Sequence, residues 1–518
     1  MPFLFAHKLL LGASKLLYQR GVHHKLIRSI TLKYRLPCIG YVERLGFRAR
    51  YLQVGQSEAM LAHQHQRATL CVIGIVVVFY YLYWNLAVFR YDTKLREDLT
   101  ILQKSYVYIK PTWGYNNSWR QIGSQANHLI YSAYFDDRLD VIETIINHES
   151  KVAIGTLRII AILPREFKDA ITCTIRFDDF IDVSVLIGKV QPLNEHHDYR
   201  YAPYSIMCPL YMNRNSTTMR LPQSVAISYP SNRLSQLSPT FVPISYPREI
   251  DQLFAISRPV LSVCVGPLQQ NYSDVLRVAE FIEMYRILGA RHFYFYHLSA
   301  SEDVMRLLRH YQSEGIVDVL QWNVPAELLP AVHYGGIMAQ INDCVYRAMV
   351  VDNYRYAATV DLDEILIPLK HNSLAIFLRQ CDEGRSSAYV FRNVFFYKLD
   401  SNDSFSLPAH TRNRFLYTQM KVRRTLEVMP THQRSKCIVN THSIIEMGNH
   451  FVWRNVPGYT ETTMPLSVGL LFHYRDQCIN CKAQLMVDYT ARRFGSLIWD
   501  RVDETCGRVF NETGICAT

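Results

Sequence analysis

The pattern of apolar and polar positions divides the chain into three stretches of different period. Residues 68–89 (ATLCVIGIVVVFYYLYWNLAVF) carry no charge over 22 positions and lie between Arg67 and Arg90. A bilayer core takes about 20 apolar residues in a helix, so this stretch predicts a membrane span. Tyr80, Tyr81, Tyr83 and Trp84 crowd its second half, as in an interfacial aromatic belt. From 112 to 246, short β-type runs (152–156, 171–177, 183–187) alternate with turn-prone Pro, Asn and Ser clusters. That pattern predicts a β-rich accessory domain of sandwich type, closed by a Ser- and Pro-rich linker at 228–247.

Beyond Pro259 the period changes. Residues 260–265 form a continuous apolar run and end in Gly266-Pro267. Val275, Val278, Ile282, Tyr285 and Leu288 then recur at helical spacing, with Gly289 placed to stop the helix. A strand follows at 292–296. Ser301 can cap a helix over 302–313 that Gly315 ends, and 316–320 is the next strand. Another helix covers 337–351. The apolar run 356–360 then leads into Asp361-Leu362-Asp363-Glu364. Strands alternating with helices of this length predict an α/β domain, a mostly parallel sheet flanked by helices.

The acidic tetrad carries the candidate chemistry. On an extended chain, Asp361 and Asp363 share one side and Leu362 takes the other. Two hard oxygen donors suit Mg²⁺ or Mn²⁺, and open α/β sheets bind ligands outside the carboxyl ends of their strands. Asp-x-Asp by itself is common, and its place at a strand end gives it weight.

Charge changes the picture of the remainder. Residues 1–67 hold eleven Lys or Arg against Glu43 and Glu58, a net of +9 out of +11 for the whole chain. The positive-inside rule leaves this tail in the cytosol and sends the rest into a lumen. The basic balance therefore belongs to the tail, and no nucleic-acid module is visible. Sequons at Asn116, Asn215, Asn271, Asn402 and Asn511 all follow the span, as do ten of the twelve cysteines. Cys478 and Cys481 have the spacing of a redox pair or half a zinc site, and disulfide or structural use is the expectation. The organisation is a cytosolic tail (1–67), a signal anchor (68–89), a stem (90–111), an accessory domain with linker (112–250) and a catalytic domain (255–518).

A set of ordered blocks carries a resemblance. They are Ser262-Val-Cys-Val-Gly-Pro267, Glu280-Phe-Ile-Glu-Met-Tyr-Arg-Ile-Leu-Gly-Ala290, Gln340-Ile-Asn-Asp-Cys344, Val360-Asp-Leu-Asp-Glu-Ile-Leu-Ile-Pro368, Lys436-Cys-Ile-Val439 and Phe472-His-Tyr-Arg475. This order resembles glycosyltransferase family 92, over about residues 255–490, and Ser132-Ala-Tyr-Phe-Asp-Asp-Arg138 is also similar. The resemblance implies a GT-A fold, a type II Golgi membrane protein, Mn²⁺ (or Mg²⁺), a UDP-sugar donor such as UDP-galactose, and inverting transfer to a glycan such as core fucose.

By the same resemblance Asp361 and Asp363 hold the ion, with His473 or His450 completing its shell. Arg475 is placed to pair with the diphosphate. Gly266 and Pro267 frame the uracil and ribose, Gln340 and Asp343 line the donor site, and Glu364 orients a ligand or bonds the ribose. Inversion needs a general base, for which Glu427 and Glu446 are the candidates. Two other classes compete: a haloacid-dehalogenase-like phosphatase with Asp361 as nucleophile on the first strand of its domain, and an inactive membrane-anchored glycan-binding protein.

Overall fold

The structure is a computed structural model that describes residues 107–109, 118–123, 125–138, 151–177, 183–213, 218–229, 240–246, 260–381, 384–397, 415–476 and 483–510. The expected tail, span and stem, the sequons at Asn116, Asn215, Asn402 and Asn511, and the Cys478/Cys481 pair lie outside these residues. Among the described residues no helix is long and apolar enough to cross a membrane.

The accessory region is a barrel, not the expected sandwich. A short parallel pair joins β1 (Val107–Ile109) to β8 (Thr218–Arg220). The main sheet contains β2 (Arg120–Ile122), β3 (Gln125–Asp136), β4 (Lys151–Pro164), β5 (Ile171–Arg176), β6 (Val183–Pro192), β7 (Tyr201–Asn213), β9 (Ser224–Ser228) and β10 (Phe241–Ser245). Its order is β10-β9-β5-β6-β7-β4-β3-β2, and a further parallel pairing of β10 with β3 closes it on itself. Closure removes the open edge between β3 and β10 and encloses one apolar core, including Ile159, Ala161, Ile206 and Val225. The strict in–out alternation of burial along β5 is that of a strand with one face to this core. Cys173 and Cys208 form a disulfide from β5 to β7.

From residue 260 the chain folds as mixed α/β. Its first sheet has the order β13-β12-β11-β14-β19-β16-β22, made of β11 (Leu261–Val265), β12 (His292–His297), β13 (Val317–Gln321), β14 (Tyr356–Val360), β16 (Ser386–Phe391), β19 (Lys436–Asn440) and β22 (Thr460–Thr463). Strands β11 to β14 are mutually parallel, whereas β19 runs antiparallel to both β14 and β16, so the sheet is less parallel than the sequence predicts. Helices α1 (Val275–Ile287), α2 (Glu302–Ser313), α3 (Ile337–Val350) and α4 (Leu374–Cys381) fall between the strands. As expected, the Ser301 hydroxyl accepts from Val304 N–H at 3.4 Å to cap α2. Gly289 takes φ +101° just past α1, where only glycine sits without strain.

A second, five-stranded sheet has the order β15-β23-β17-β18-β24, from β15 (Glu364–Pro368), β17 (Asn393–Tyr397), β18 (Arg423–Thr425), β23 (Gly469–Arg475) and β24 (Leu485–Val487). A hairpin of β20 (Ile444–Met447) and β21 (Val452–Asn455), the single turn α5 (Tyr417–Met420) and the last helix α6 (Gly495–Phe510) complete the domain.

Two features fix the site's position. The chain leaves β11 for β12 on one side and returns to β14 on the other, so the winding reverses between β11 and β14. Such a reversal opens a crevice at the carboxyl ends of both strands. In addition, α3 is buried along all fourteen residues, because it lies between this sheet and the barrel. The Cys264–Cys344 disulfide ties it to β11.

Candidate functional site

Asp361, Leu362 and Asp363 form a tight turn between the two sheets, closed by Glu364 N–H to the Asp361 carbonyl at 3.1 Å. The tetrad is therefore not one extended strand, and the alternation expected for Asp361 and Asp363 does not apply. Register delivers the partners instead. Strand β23 pairs with β15 so that His473 faces Glu364, and β19 pairs with β14 so that Cys437 faces Thr359. The residue before Cys437 is Lys436, which thereby arrives beside Asp361.

The contacts follow that register. His473 Nε2 lies 3.1 Å from Asp363 Oδ2 and its Nδ1 lies 3.4 Å from Glu364 Oε1. Lys436 Nζ lies 3.0 Å from Asp361 Oδ2 and 3.4 Å from Glu364 Oε2. Asp361 and Asp363 keep 41% and 24% of their side chains exposed, whereas Glu364 keeps 2%. The first two can face a ligand. Glu364 is enclosed, and its Oε2 accepts the Asp361 N–H at 2.9 Å, so it pins the turn.

The electrostatics separate the carboxylates further. Burial pushes the Glu364 carboxyl up, and the Lys436 charge offsets part of that rise. Burial would also raise Asp363, but the hydrogen bond and charge of His473, with Arg277 and Arg475, outweigh it and hold the group low. Asp363 is thus ionised at neutral pH, as a metal ligand or phosphate-side carboxylate must be.

At Gly266 a Cβ would sit 2.5 Å from Asp361 Oδ1, so any larger residue there would push the Asp361 carboxylate aside. Gln340 is buried, and its Nε2 donates to the Val265 carbonyl at 3.0 Å, holding the end of β11. Pro267 follows Gly266 at that strand end. His450 stands behind Lys436; its Nδ1 is 3.1 Å from the Ser435 carbonyl, and burial with the Lys436 charge lowers its pKa to about 4. Its Nε2 meets Asn449 at 3.4 Å, so its partners are protein groups and not the acidic turn. Arg475 lies half-buried at the end of β23, its carbonyl accepting from Lys421 Nζ at 3.0 Å.

Three expected residues fall elsewhere. Asp343 is fully enclosed and accepts hydroxyls from Ser132, Tyr134 (2.6 Å) and Tyr296 (2.5 Å), with Arg347 at 3.6 Å. That is an anchor between barrel and α/β domain, not a group lining a donor pocket. Glu446 is also buried: Oε1 accepts from Asn194 N–H (2.6 Å) and Nδ2 (2.9 Å), and Oε2 pairs with Arg454 Nε (2.9 Å). Both of its oxygens have protein partners and the side chain is 1% exposed, so it does not face a substrate. Glu427 is exposed on the loop after β18, and its carbonyl accepts the Thr425 hydroxyl. Asn271, the one described sequon, is exposed, as a glycosylated residue must be.

Other residues near the turn gave no sequence signal. Arg277 sits on α1 with its guanidinium 3.8 Å over the Tyr417 ring, and Asp476 holds it (3.2 Å) together with Lys421 (2.8 Å). Arg277, Asp363, Tyr417 and Thr418 line one narrow cleft. Only the fold brings these segments together, so no local motif marks them.

For an ion, the donor chemistry fits: Asp363 and His473 face each other, Asp361 is exposed beside them, and carboxylate with imidazole suits Mn²⁺. The Lys436 ammonium shares Asp361, so that carboxylate would divide its oxygens between the two cations. Among the described residues, the grouping with three candidate ligand atoms within 4.8 Å of one another is His292, Asp318 and Asp352. It stands at the amino-terminal ends of β12 and β13, the opposite edge of the sheet.

The position of Asp361 also bears on the phosphatase alternative. Its strand, β14, is the fourth of its sheet in chain order, whereas that chemistry puts the nucleophile on the first.

Comparison with known proteins agrees with the motif order. Residues 260–510 match the model of glycosyltransferase family 92. A Caenorhabditis elegans protein named Beta-1,4-galactosyltransferase galt-1 is 23% identical over 48% of this chain and 55% of its own length. A second from the same organism, Glycosyltransferase family 92 protein F13G3.3, is 24% identical over 33% of this chain and 40% of its own. The chain spans about half the length of the curated relatives it matches. Among solved structures, S. aureus TarS in complex with UDP aligns over 48% of this chain and 66% of its own, at 9% identity and a TM-score of 0.24, too low to argue from. Residues 260–510 are thus a glycosyltransferase family 92 domain.

Proposed function

We propose that this chain transfers galactose from UDP-galactose, with inversion, to a glycan acceptor such as fucose on an N-glycan core. The observation that carries the reading is the partly exposed carboxylate pair Asp361 and Asp363, flanked by His473 and Lys436, at the winding reversal of a family 92 domain. In the proposed enzyme Asp361, Asp363 and His473 hold a divalent ion, Mn²⁺ or Mg²⁺. Bound there, the ion would act as a Lewis acid that offsets charge on the departing diphosphate.

The chain's own residues do the rest. Lys436 fixes Asp361 and adds a buried positive charge behind it. Glu364 pins the turn so that both aspartates keep their direction. Arg277 and Arg475, near Asp363, supply guanidinium groups whose geometry matches phosphate oxygens. The ion pair with Arg454 removes Glu446 from the role of proton acceptor, and Glu427 lies on the loop after β18, away from the acidic turn, so neither expected carboxylate is assigned as the base. The sequence of 68–89, its basic flank and the sequons beyond it support a single-pass Golgi membrane protein with this domain in the lumen.

The test is transfer by the purified full chain, given a panel of UDP-sugars, Mn²⁺ and core-fucosylated N-glycans. Galactose transfer from UDP-galactose that chelation abolishes is the expected result. No transfer or UDP release with any donor and acceptor would overturn the reading.

A further inference from the structure

The barrel reaches the candidate active site through one loop. Past β6, Asn194 bonds Glu446, and Gln191 Oε1 accepts from Arg454 Nη1 at 2.6 Å, so β6 and its loop grip the β20–β21 hairpin from the side. Glu195, held at φ +60°, extends further. Its Oε2 accepts the Asn449 N–H at 3.0 Å and its Oε1 accepts the Trp453 indole N–H at 2.9 Å. Asn449 Oδ1 in turn accepts from Lys436 Nζ at 2.7 Å, and Lys436 holds Asp361. An unbroken line of contacts therefore joins the Trp453 ring to the acidic turn.

Trp453 is 39% exposed, a large aromatic surface for a side chain so firmly held. Its indole N–H is already taken by Glu195, so the exposed surface is ring carbon. The local backbone is built around that ring. A Cβ at Gly448 would come within 2.7 Å of the Trp453 ring and of Glu195 Oε1. Phe451, at 4.7 Å between ring centroids, braces it from the same hairpin.

We infer that Trp453 and Glu195 form a subsite for a neutral saccharide, the acceptor glycan, beside the donor site. An indole ring open to solvent offers an electron-rich π system to the polarised C–H groups on the apolar face of a pyranose ring. Each Glu195 oxygen accepts one N–H and keeps a second lone pair, which can take a sugar hydroxyl at the rim of the ring. The same carboxylate, with Glu461 accepting Val452 N–H close by, makes this surface unfavourable for a phosphate or another anion. A neutral glycan satisfies both features at once. The barrel thereby has a role in acceptor choice, because it supplies Glu195.

The inference rests on the transferase reading for the word acceptor, and its test separates the two. Binding of a core-fucosylated N-glycan oligosaccharide to the full-length protein is measured by calorimetry, alongside UDP binding and transfer, for wild type, Trp453→Ala, Trp453→Phe and Glu195→Gln. Trp453→Ala is expected to weaken glycan binding, and to raise the glycan KM, about tenfold, with UDP affinity unchanged. Trp453→Phe keeps a ring face and should recover most of that loss. Glycan affinity equal to wild type in Trp453→Ala, or no glycan binding by wild type, overturns the subsite. Glycan binding that depends on Trp453 in a protein without transfer overturns the transferase reading and leaves the subsite standing. A parallel loss of UDP and glycan affinity would mark Trp453 as structural and also overturn the inference.

Discussion

Lys436 Nζ stands 3.0 Å from Asp361 and 3.4 Å from Glu364, with 3% of the lysine side chain exposed. Its two carboxylates differ in kind: Asp361 faces solvent and Glu364 is enclosed. Removing the lysine leaves the enclosed Glu364 without its cation and forces it to take up a proton or stay as an unpaired buried charge, and breaking a buried pair in this way costs up to about 3–5 kcal/mol. Lys436→Met is expected to lower unfolding free energy by about that much, and Glu364→Gln added to it should restore at least about 1 kcal/mol. The measurement is a double-mutant cycle in urea. Strict additivity of the two substitutions would mean that the pair carries no coupling.

His473 reaches Asp363 only because β23 sets it opposite Glu364. If it completes the shell of an ion, its loss should weaken the ion and leave the sugar donor's other contacts in place. His473→Ala is expected to raise the Mn²⁺ concentration for half-maximal transfer by about 10–100-fold, with saturating Mn²⁺ recovering part of the rate. Asp363→Asn should resist such recovery. An unchanged Mn²⁺ dependence in His473→Ala would assign the ring to packing alone.

What could be read from the chain and what could not divides along the range of the interaction. The Ser301 cap, the Gly289 stop and the strand that leads into Asp361 are set by neighbours a few residues away, and all are found where the sequence predicts them. The turn at 361–363 is different. Leu362 looks like the alternate residue of a strand, and only the presence of a second sheet explains why the chain turns there. Pairing register, fixed by tertiary packing, brings Lys436 and His473 to the acidic turn across 75 and 110 residues. Barrel closure through β10 and β3 is equally non-local, so the β-rich pattern alone suggested a sandwich. Asp343 had the right sequence position for the donor site, but α3 turns it toward Ser132 and Tyr134 of the barrel.

That anchor gives a test which distinguishes stability from chemistry. Asp343 satisfies three buried hydroxyls and stands near Arg347, so Asp343→Leu leaves several polar groups without a partner. A loss of about 3 kcal/mol or more is expected. Asp343→Asn, which keeps one acceptor oxygen, should lose less. At a temperature where the Asn variant is folded, its KM for UDP-sugar should stay within about twofold of wild type, since a carboxylate that touched the donor would move it far more than that. A large rise in that KM would return Asp343 to the donor site.

Glu280 sets up a contest between burial and hydrogen bonding that pH can decide. Its oxygens accept from Tyr417 N–H (2.7 Å), Thr418 N–H (2.7 Å) and the Thr418 hydroxyl (2.6 Å), all of which favour the charged form. Burial acts the other way and wins, pushing the carboxyl up to about 7 from an ordinary 4.5. Between those values the folded chain holds a proton that the unfolded chain has released, so stability falls as pH rises. The contribution is fully present below pH 4.5 and lost above pH 7. At about 1.4 kcal/mol per unit it is on the order of 3 kcal/mol. Glu280→Gln stays neutral and lacks this slope. Urea unfolding at pH 5 and pH 8 should therefore show the wild-type advantage over Glu280→Gln shrinking as pH rises. An advantage that holds or grows would mean that the three donors keep Glu280 ionised throughout, and that hydrogen bonding outweighs burial at this site.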